Sequence, residues 1–210
     1  MLSNIGNFLL FLNVFLGIII IYFSFQNLKS KSSSISKSIY QFCLFQSTLI
    51  IICFFTLIAA FIVSDFSLVT VYQNSHTSKP IFYKIAGTWG NHEGSMLLWV
   101  LILTFFGFLV AVFGTNLRSD FKAKVLSVQS AIGVCFFAFI LFTSNPFQRY
   151  DIVPFNGQDL NPLLQDPGLA FHPPFLYMGY VGLSMSFSFA IAALMEGRVD
   201  AIWALSLIHI

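Results

Sequence analysis

The sequence predicts an all-α fold: a polytopic integral membrane helical bundle of about five transmembrane helices, with the N-terminus outside. Three observations predict it. The 210 residues are 57% hydrophobic and only 9% charged, with 27 Phe, whereas soluble domains carry roughly 25% charged residues. The apolar residues gather into runs of about 20, the length that crosses a bilayer as a helix. The third is the uneven division of Lys and Arg between the segments joining those runs.

The spans are expected at residues 7–25, 39–63, 95–114, 125–143 and 174–194. Backbone polar groups in hydrocarbon must be satisfied within the segment, so the spans are helices. The first lies where a secretory signal would lie, but Met1-Leu2-Ser3-Asn4 has no basic residue and no small-residue cleavage site follows. An uncleaved anchor is expected. Residues 29–37, rich in Ser and Lys, read as a flexible connector. Gly107 and Ala111 in the third span suit close helix packing, as do Gly182, Ser186 and Ala190 at four-residue spacing in the fifth.

One set of loops carries Lys29, Lys31, Lys37, Arg118, Lys122, Lys124 and Arg198; the other carries Lys79, Lys84 and Arg149. The richer set is assigned to the cytoplasm. The N-terminus and the long loops of residues 64–94 and 144–173 then lie outside. Scattered basic residues and a net charge of +2 exclude a nucleic-acid-binding stripe. Cys43, Cys53 and Cys135 sit singly in apolar runs, with no Cys-x-x-Cys pair, and read as small core hydrophobes. No repeat, Gly-rich phosphate loop or separate soluble domain is present.

Two outer motifs carry candidate chemistry. In the first, Trp89-Gly90-Asn91-His92-Glu93-Gly94-Ser95 runs into the third span. His92-Glu93 begins like a zinc-protease His-Glu-x-x-His, but Met96 stands where the second His is needed. Trp89 and Trp99 suit interfacial anchors. Glu93 suits a first helical turn, where its charge favours the helix dipole. For His92, local hydrogen bonding and a ligand role both stand.

In the second, Asp166-Pro167-Gly168 reads as a turn. Pro173 biases His172 toward an extended backbone, and Pro174 suits a first helical position. His172 is thus expected to project from a rigid elbow at the outer membrane face. It is a candidate ligand, against the alternative of a histidine bonded to a loop carbonyl. A single His cannot hold a bare metal ion. Haem needs only one or two axial protein ligands, with aromatic and apolar surfaces against its macrocycle. Phe171, Phe175, Tyr177 and, if the outer loops meet, Trp89 are candidates for that surface.

These motifs resemble the CcmF/NrfE family of cytochrome c haem lyase subunits. The resemblance rests on Trp89 to Ser95, on the run from Asp159 to Gly168, and on His172-Pro173-Pro174-Phe175-Leu176-Tyr177-Met178-Gly179-Tyr180-Val181-Gly182. It covers nearly the whole chain to Trp203. Residues 1–204 read as the N-terminal part of a cytochrome c assembly membrane domain. The family implies a multi-pass protein of the bacterial inner membrane whose functional loops face the periplasm, surrounded by lipid. Haem b comes from the haem chaperone CcmE. With the thiol-handling subunits CcmH and CcmI, it is attached to Cys-x-x-Cys-His of apocytochrome c.

His172 matches the first of the family's two outer haem histidines, so the resemblance implies an axial-ligand role, with metal held only through haem iron. Trp89, His92, Glu93, Asp166, Pro173 and Pro174 are implied to support it, and no catalytic side chain is implied. The family's tryptophan-rich WWD segment, its second outer histidine and its paired membrane histidines do not occur in these 210 residues. Residues 205–210 depart from the family's continuation and read as a non-native or truncated end, giving His209 no role. This stretch alone is expected to hold haem weakly and to be inactive. The alternative is a transporter or haem-transport component without ligation activity. It predicts ionisable residues within the spans, and almost none occur.

Overall fold

The computed structural model describes residues 1–30, 33–159, 161–162 and 165–197. The described residues form seven helices: α1 Leu2–Ser30, α2 Ser33–Ile62, α3 Val69–Asn74, α4 Ile81–Gly87, α5 His92–Phe113, α6 Ser119–Thr143 and α7 Pro167–Glu196. Five of them, α1, α2, α5, α6 and α7, are long and apolar enough to cross a membrane. Each expected span matches one of these five, with Val63 and Gly114 falling one residue past the ends of α2 and α5, and elsewhere the helices outrun the apolar runs at their polar ends. Hydropathy marks the hydrocarbon layer, whereas helices continue into the interface until a cap or a turn stops them.

The expected connector is mostly helical. Residues 29–30 close α1 and residues 33–37 open α2, and Lys31 lies outside the described residues, as do Arg198, Trp203 and His209. Ser33, Ser34 and Lys37 stay solvated on the α2 surface while Ser36 is buried, so a polar composition did not require a loop. The side chains of Asn27 and Ser36 hydrogen bond at 3.2 Å, tying the two helix ends together.

In the bundle, α1 packs on α2 and α6, α5 lies against α2, α6 and α7, and α7 closes one side against α5 and α6. Leu10, Ile50, Leu57, Phe61, Leu97, Leu103 and Phe137 are fully buried at its centre. The abundant Phe serve the outer surface as well. Phe8, Phe11, Phe15, Ile18, Tyr22 and Phe25 of α1 form an exposed stripe at helical spacing, as a lipid-facing side does. Gly182 is the close contact on α7: a Cβ there would lie 3.1 Å from the Phe106 ring. Ser186 and Ala190 are half-buried and Gly107 and Ala111 are buried, so the small residues serve helix contacts. Cys43 and Cys53 are buried as expected, but Cys135 is exposed on α6. An apolar run around a helix has an outer face as well as a core face, which a linear reading does not separate.

Several polar groups inside the bundle are paired across helices. The Gln129 amide of α6 donates to the Leu103 carbonyl of α5 and to Ser184 Oγ of α7, and Ser188 Oγ donates to its oxygen at 2.8 Å. Gln46 of α2 donates to the Asn13 carbonyl of α1 at 3.0 Å.

At one end of the bundle the N-terminus meets the second long loop, which in turn meets the first. Leu68 and Arg149 form an antiparallel β-bridge. Ser3 Oγ donates to the Phe147 carbonyl at 2.7 Å. The Phe147 ring is fully buried against Gly6, where a Cβ would lie only 2.3 Å from it. Lys79 pairs with Asp159 at 3.4 Å. Burial pushes the Lys79 ammonium below its ordinary value, and the Asp159 carboxylate opposes that shift. At the opposite end, Arg118 and Lys124 both reach Glu196.

Candidate functional site

The first motif is the corner between α4 and α5. Asn91 caps α5: its side-chain oxygen accepts from the Gly94 N–H at 2.8 Å, and its amide donates to the Gly87 carbonyl at 2.7 Å. The corner is so tight that a Cβ on Gly94 would lie 1.6 Å from the Thr88 carbonyl oxygen. Glu93 sits in the first turn of α5, where a carboxylate is favoured by the helix dipole. His92 is satisfied locally. Its Nε2 lies 2.9 Å from Ser144 Oγ and its ring meets Phe139 edge-on. The structure therefore turns His92 toward α6.

The second motif is built differently from expectation. Asp166 is the N-cap of α7 rather than part of a free turn: its Oδ1 accepts from the Gly168 N–H at 2.8 Å. Pro167 then opens the helix, a position where its missing N–H costs no bond. The helix continues through His172, Pro173 and Pro174. His172 thus stands on the second turn of α7 and not on an extended elbow, and Pro174 is an interior residue, not a first one. Leu160, Leu163 and Leu164 of this motif lie outside the described residues.

An interior proline removes a helix hydrogen bond and pushes away the carbonyl four residues back, at a cost of about 3 kcal/mol or more. For Pro174 that carbonyl belongs to Ala170. The Trp89 indole N–H donates to it at 2.8 Å, which offsets the loss by about 1 kcal/mol. This bond joins the two motifs. It also gives Trp89 a task that interfacial anchoring did not suggest. The Trp89 ring stacks on Phe54 with centroids 6.5 Å apart. Trp99, the other expected anchor, packs instead among Phe136, Tyr177 and Tyr180.

His172 is exposed and its ring has no hydrogen bond among the described residues. Phe175, Leu176, Gly179 and Tyr180 share its side of α7 and are exposed as well. Phe171 leans on Phe82 of α4, with ring centroids 5.9 Å apart, and Tyr177 turns inward to Trp99. Of the expected aromatic surface, Phe175 is open on the His172 side and Phe171 is exposed toward α4, while Trp89 supports the backbone behind it. Tyr180 was missed from the sequence, although its spacing of two helical turns from His172 carries the signal. A free imidazole at the end of an open apolar helix face fits one axial ligand of a flat, largely apolar group. Among the described residues no three His, Cys, Asp or Glu side chains converge.

A family model described as cytochrome C assembly protein matches residues 89–205, starting at Trp89. The chain is 67% identical over 159 residues to a cytochrome c-type biogenesis protein, ccl1, of Rhodobacter capsulatus, covering 76% of this chain and 24% of that protein. It is 53% identical over 152 residues to the cytochrome c-type biogenesis protein CcmF of Escherichia coli, covering 72% of this chain and 24% of that one. The chain thus spans less than a third of the length of these relatives. A solved structure titled cytochrome c heme lyase CcmF superposes with a TM-score of 0.83 at 24% identity, over 97% of this chain and 32% of the other. That likeness carries the fold. Together the α4–α5 corner, the proline-bearing α7 and these matches place the chain in the cytochrome c assembly protein family.

Proposed function

We propose that this chain is a haem-handling part of a cytochrome c maturation protein, with His172 as an axial ligand to haem b at the outer membrane face. The observation that carries the reading is the His172 ring, without a partner among the described residues, at the end of the open α7 face formed by Phe175, Leu176 and Tyr180. It lies within the stretch matched by the family model, and relatives are named as cytochrome c biogenesis proteins.

Haem is the substrate in this reading: its vinyl groups take up the cysteine thiols of apocytochrome c as thioethers. The chain's own contribution is positioning, which lowers the cost of bringing reactants together. His172 sets one face of the macrocycle, Phe175 and Tyr180 offer aromatic surface, and the helix fixes their spacing. Asp166 caps the turn that carries them, and the helical Pro173 and Pro174 shape it. His92 and Glu93 belong to the supporting corner. The Lys and Arg distribution favours the N-terminus and both long loops on the outside, in the periplasm of a bacterium with this protein in its inner membrane. The partners that follow are the haem chaperone CcmE, the thiol-handling subunits CcmH and CcmI, apocytochrome c and the surrounding lipid.

The test is His172→Ala in the longest product its gene encodes, purified with haem. The expected outcome is a shifted haem absorption spectrum, or at least a several-fold loss of retained haem. An unchanged spectrum with unchanged cytochrome c maturation would sink the assignment.

A further inference from the structure

We infer that Trp89 is a positioning residue for His172: its indole N–H stands in for the helix bond that Pro174 deletes, and so fixes the turns of α7 that carry the histidine. The consequence for haem rests on the proposed role of His172; the mechanics do not.

In an uninterrupted helix the N–H of residue 174 would donate to the carbonyl of residue 170. Pro174 has no N–H, and its ring pushes that carbonyl outward. Ala170 is only 4% exposed, so little water reaches it, and a buried carbonyl without a donor is unfavourable. The Trp89 indole is placed to answer this. It donates at 2.8 Å across 81 residues of sequence. Its ring is braced on Phe54, and its backbone N–H donates to the Ala86 carbonyl at 3.2 Å. The donor therefore stands on a braced corner, and the acceptor lies two residues before His172. The Phe82–Phe171 ring contact links the same corner to the same turn of α7.

Two proline-induced gaps in succession would otherwise leave this end of α7 free to tilt. Pro173 and Pro174 both lie inside the helix, and the Trp89 bond is the contact that closes the gap at Ala170. The arrangement makes a specific demand on chemistry. An indole supplies a hydrogen-bond donor that a phenyl ring cannot, although both can stack on Phe54.

The experiment compares Trp89→Phe, Pro174→Ala and the double variant, each in the longest product the gene encodes, in lipid nanodiscs. Amide hydrogen exchange is read for the peptide covering residues 165–177, without added haem. Trp89→Phe should accelerate exchange there by about fivefold, the factor a single lost bond produces. Adding Pro174→Ala restores an N–H to the helix and should return exchange close to the original rate. The haem spectrum is recorded for the same variants and for His172→Ala. Trp89→Phe should move the spectrum in the direction that His172→Ala does, and the double variant should reverse the move.

Unchanged exchange in Trp89→Phe overturns the inference, as does an equal acceleration in both proline backgrounds. A spectrum that His172→Ala shifts and Trp89→Phe leaves alone overturns the positioning of His172. Should Trp89→Phe fail to accumulate, accumulation of the double variant supports the inference, and loss of both overturns it. A spectrum indifferent to His172→Ala sinks the haem reading, and exchange alone then decides the Trp89 clamp.

Discussion

A Cβ on Gly94 would lie 1.6 Å from the Thr88 carbonyl oxygen, backbone that cannot swing aside as a long side chain does. Gly94→Ala is therefore expected to force the α4–α5 corner open at a cost of about 1–3 kcal/mol, the range for overpacking. Thermal unfolding of the purified protein checks this, and Ser95→Ala, at a half-buried neighbour, is the control. Gly94 stood out in the sequence as part of a motif, but its reason did not. The steric demand comes from a carbonyl six residues back, brought close by the turn at Trp89 and the cap at Asn91. Trp89 was legible as an aromatic at an interface. Its donor role was not, since the acceptor is 81 residues away. For His92 the sequence left local bonding and a ligand role both standing, and Ser144, its partner 52 residues later, could not be named.

At the scale of the element, α7 departs furthest from expectation. The sequence-local rule that a residue before proline avoids the helical region set the expected start at Pro174, whereas the helix begins at Pro167. The Asp166 cap and the opening Pro167 favour an earlier start, and Trp89 satisfies one carbonyl that the later prolines free. The inner half of α7 is held by Gln129, which bonds Ser184 and Ser188 as well as the Leu103 carbonyl of α5. Gln129→Leu removes all three bonds, two of them to α7, and should destabilise the bundle by about 1–2 kcal/mol, at about 0.6 kcal/mol for each such bond between membrane helices. Unfolding of the protein in mixed micelles with increasing SDS reads that difference. A loss well beyond this range would mean that the bonded cluster acts as a cooperative unit.

For the whole molecule, orientation is the open quantity with a direct test. The structure gathers the N-terminus and both long loops at one bundle end: Ser3 bonds Phe147 of the second loop, and that loop pairs with the first through Leu68 and Arg149. The division of Lys and Arg then favours that end as the outer one. Single cysteines at Thr77 and Ile152, exposed at that end, should react in intact cells with a thiol reagent that cannot cross the inner membrane. A cysteine at Asn116, in the loop between α5 and α6, should react only after lysis. The opposite pattern would invert the assigned orientation and move His172 to the cytoplasmic face. By itself the sequence determined the all-helical membrane class, the five spans and the two motif segments, because hydrophobic burial in lipid is additive along the chain and legible residue by residue. Only the tertiary structure decided that the two motifs meet, that Pro173 and Pro174 lie within a helix, and that His172 stands exposed while His92 is bonded. Those outcomes depend on hydrogen bonds between residues 81 and 52 positions apart. Such pairs leave no local pattern in a chain, and they exist only once the helices have packed.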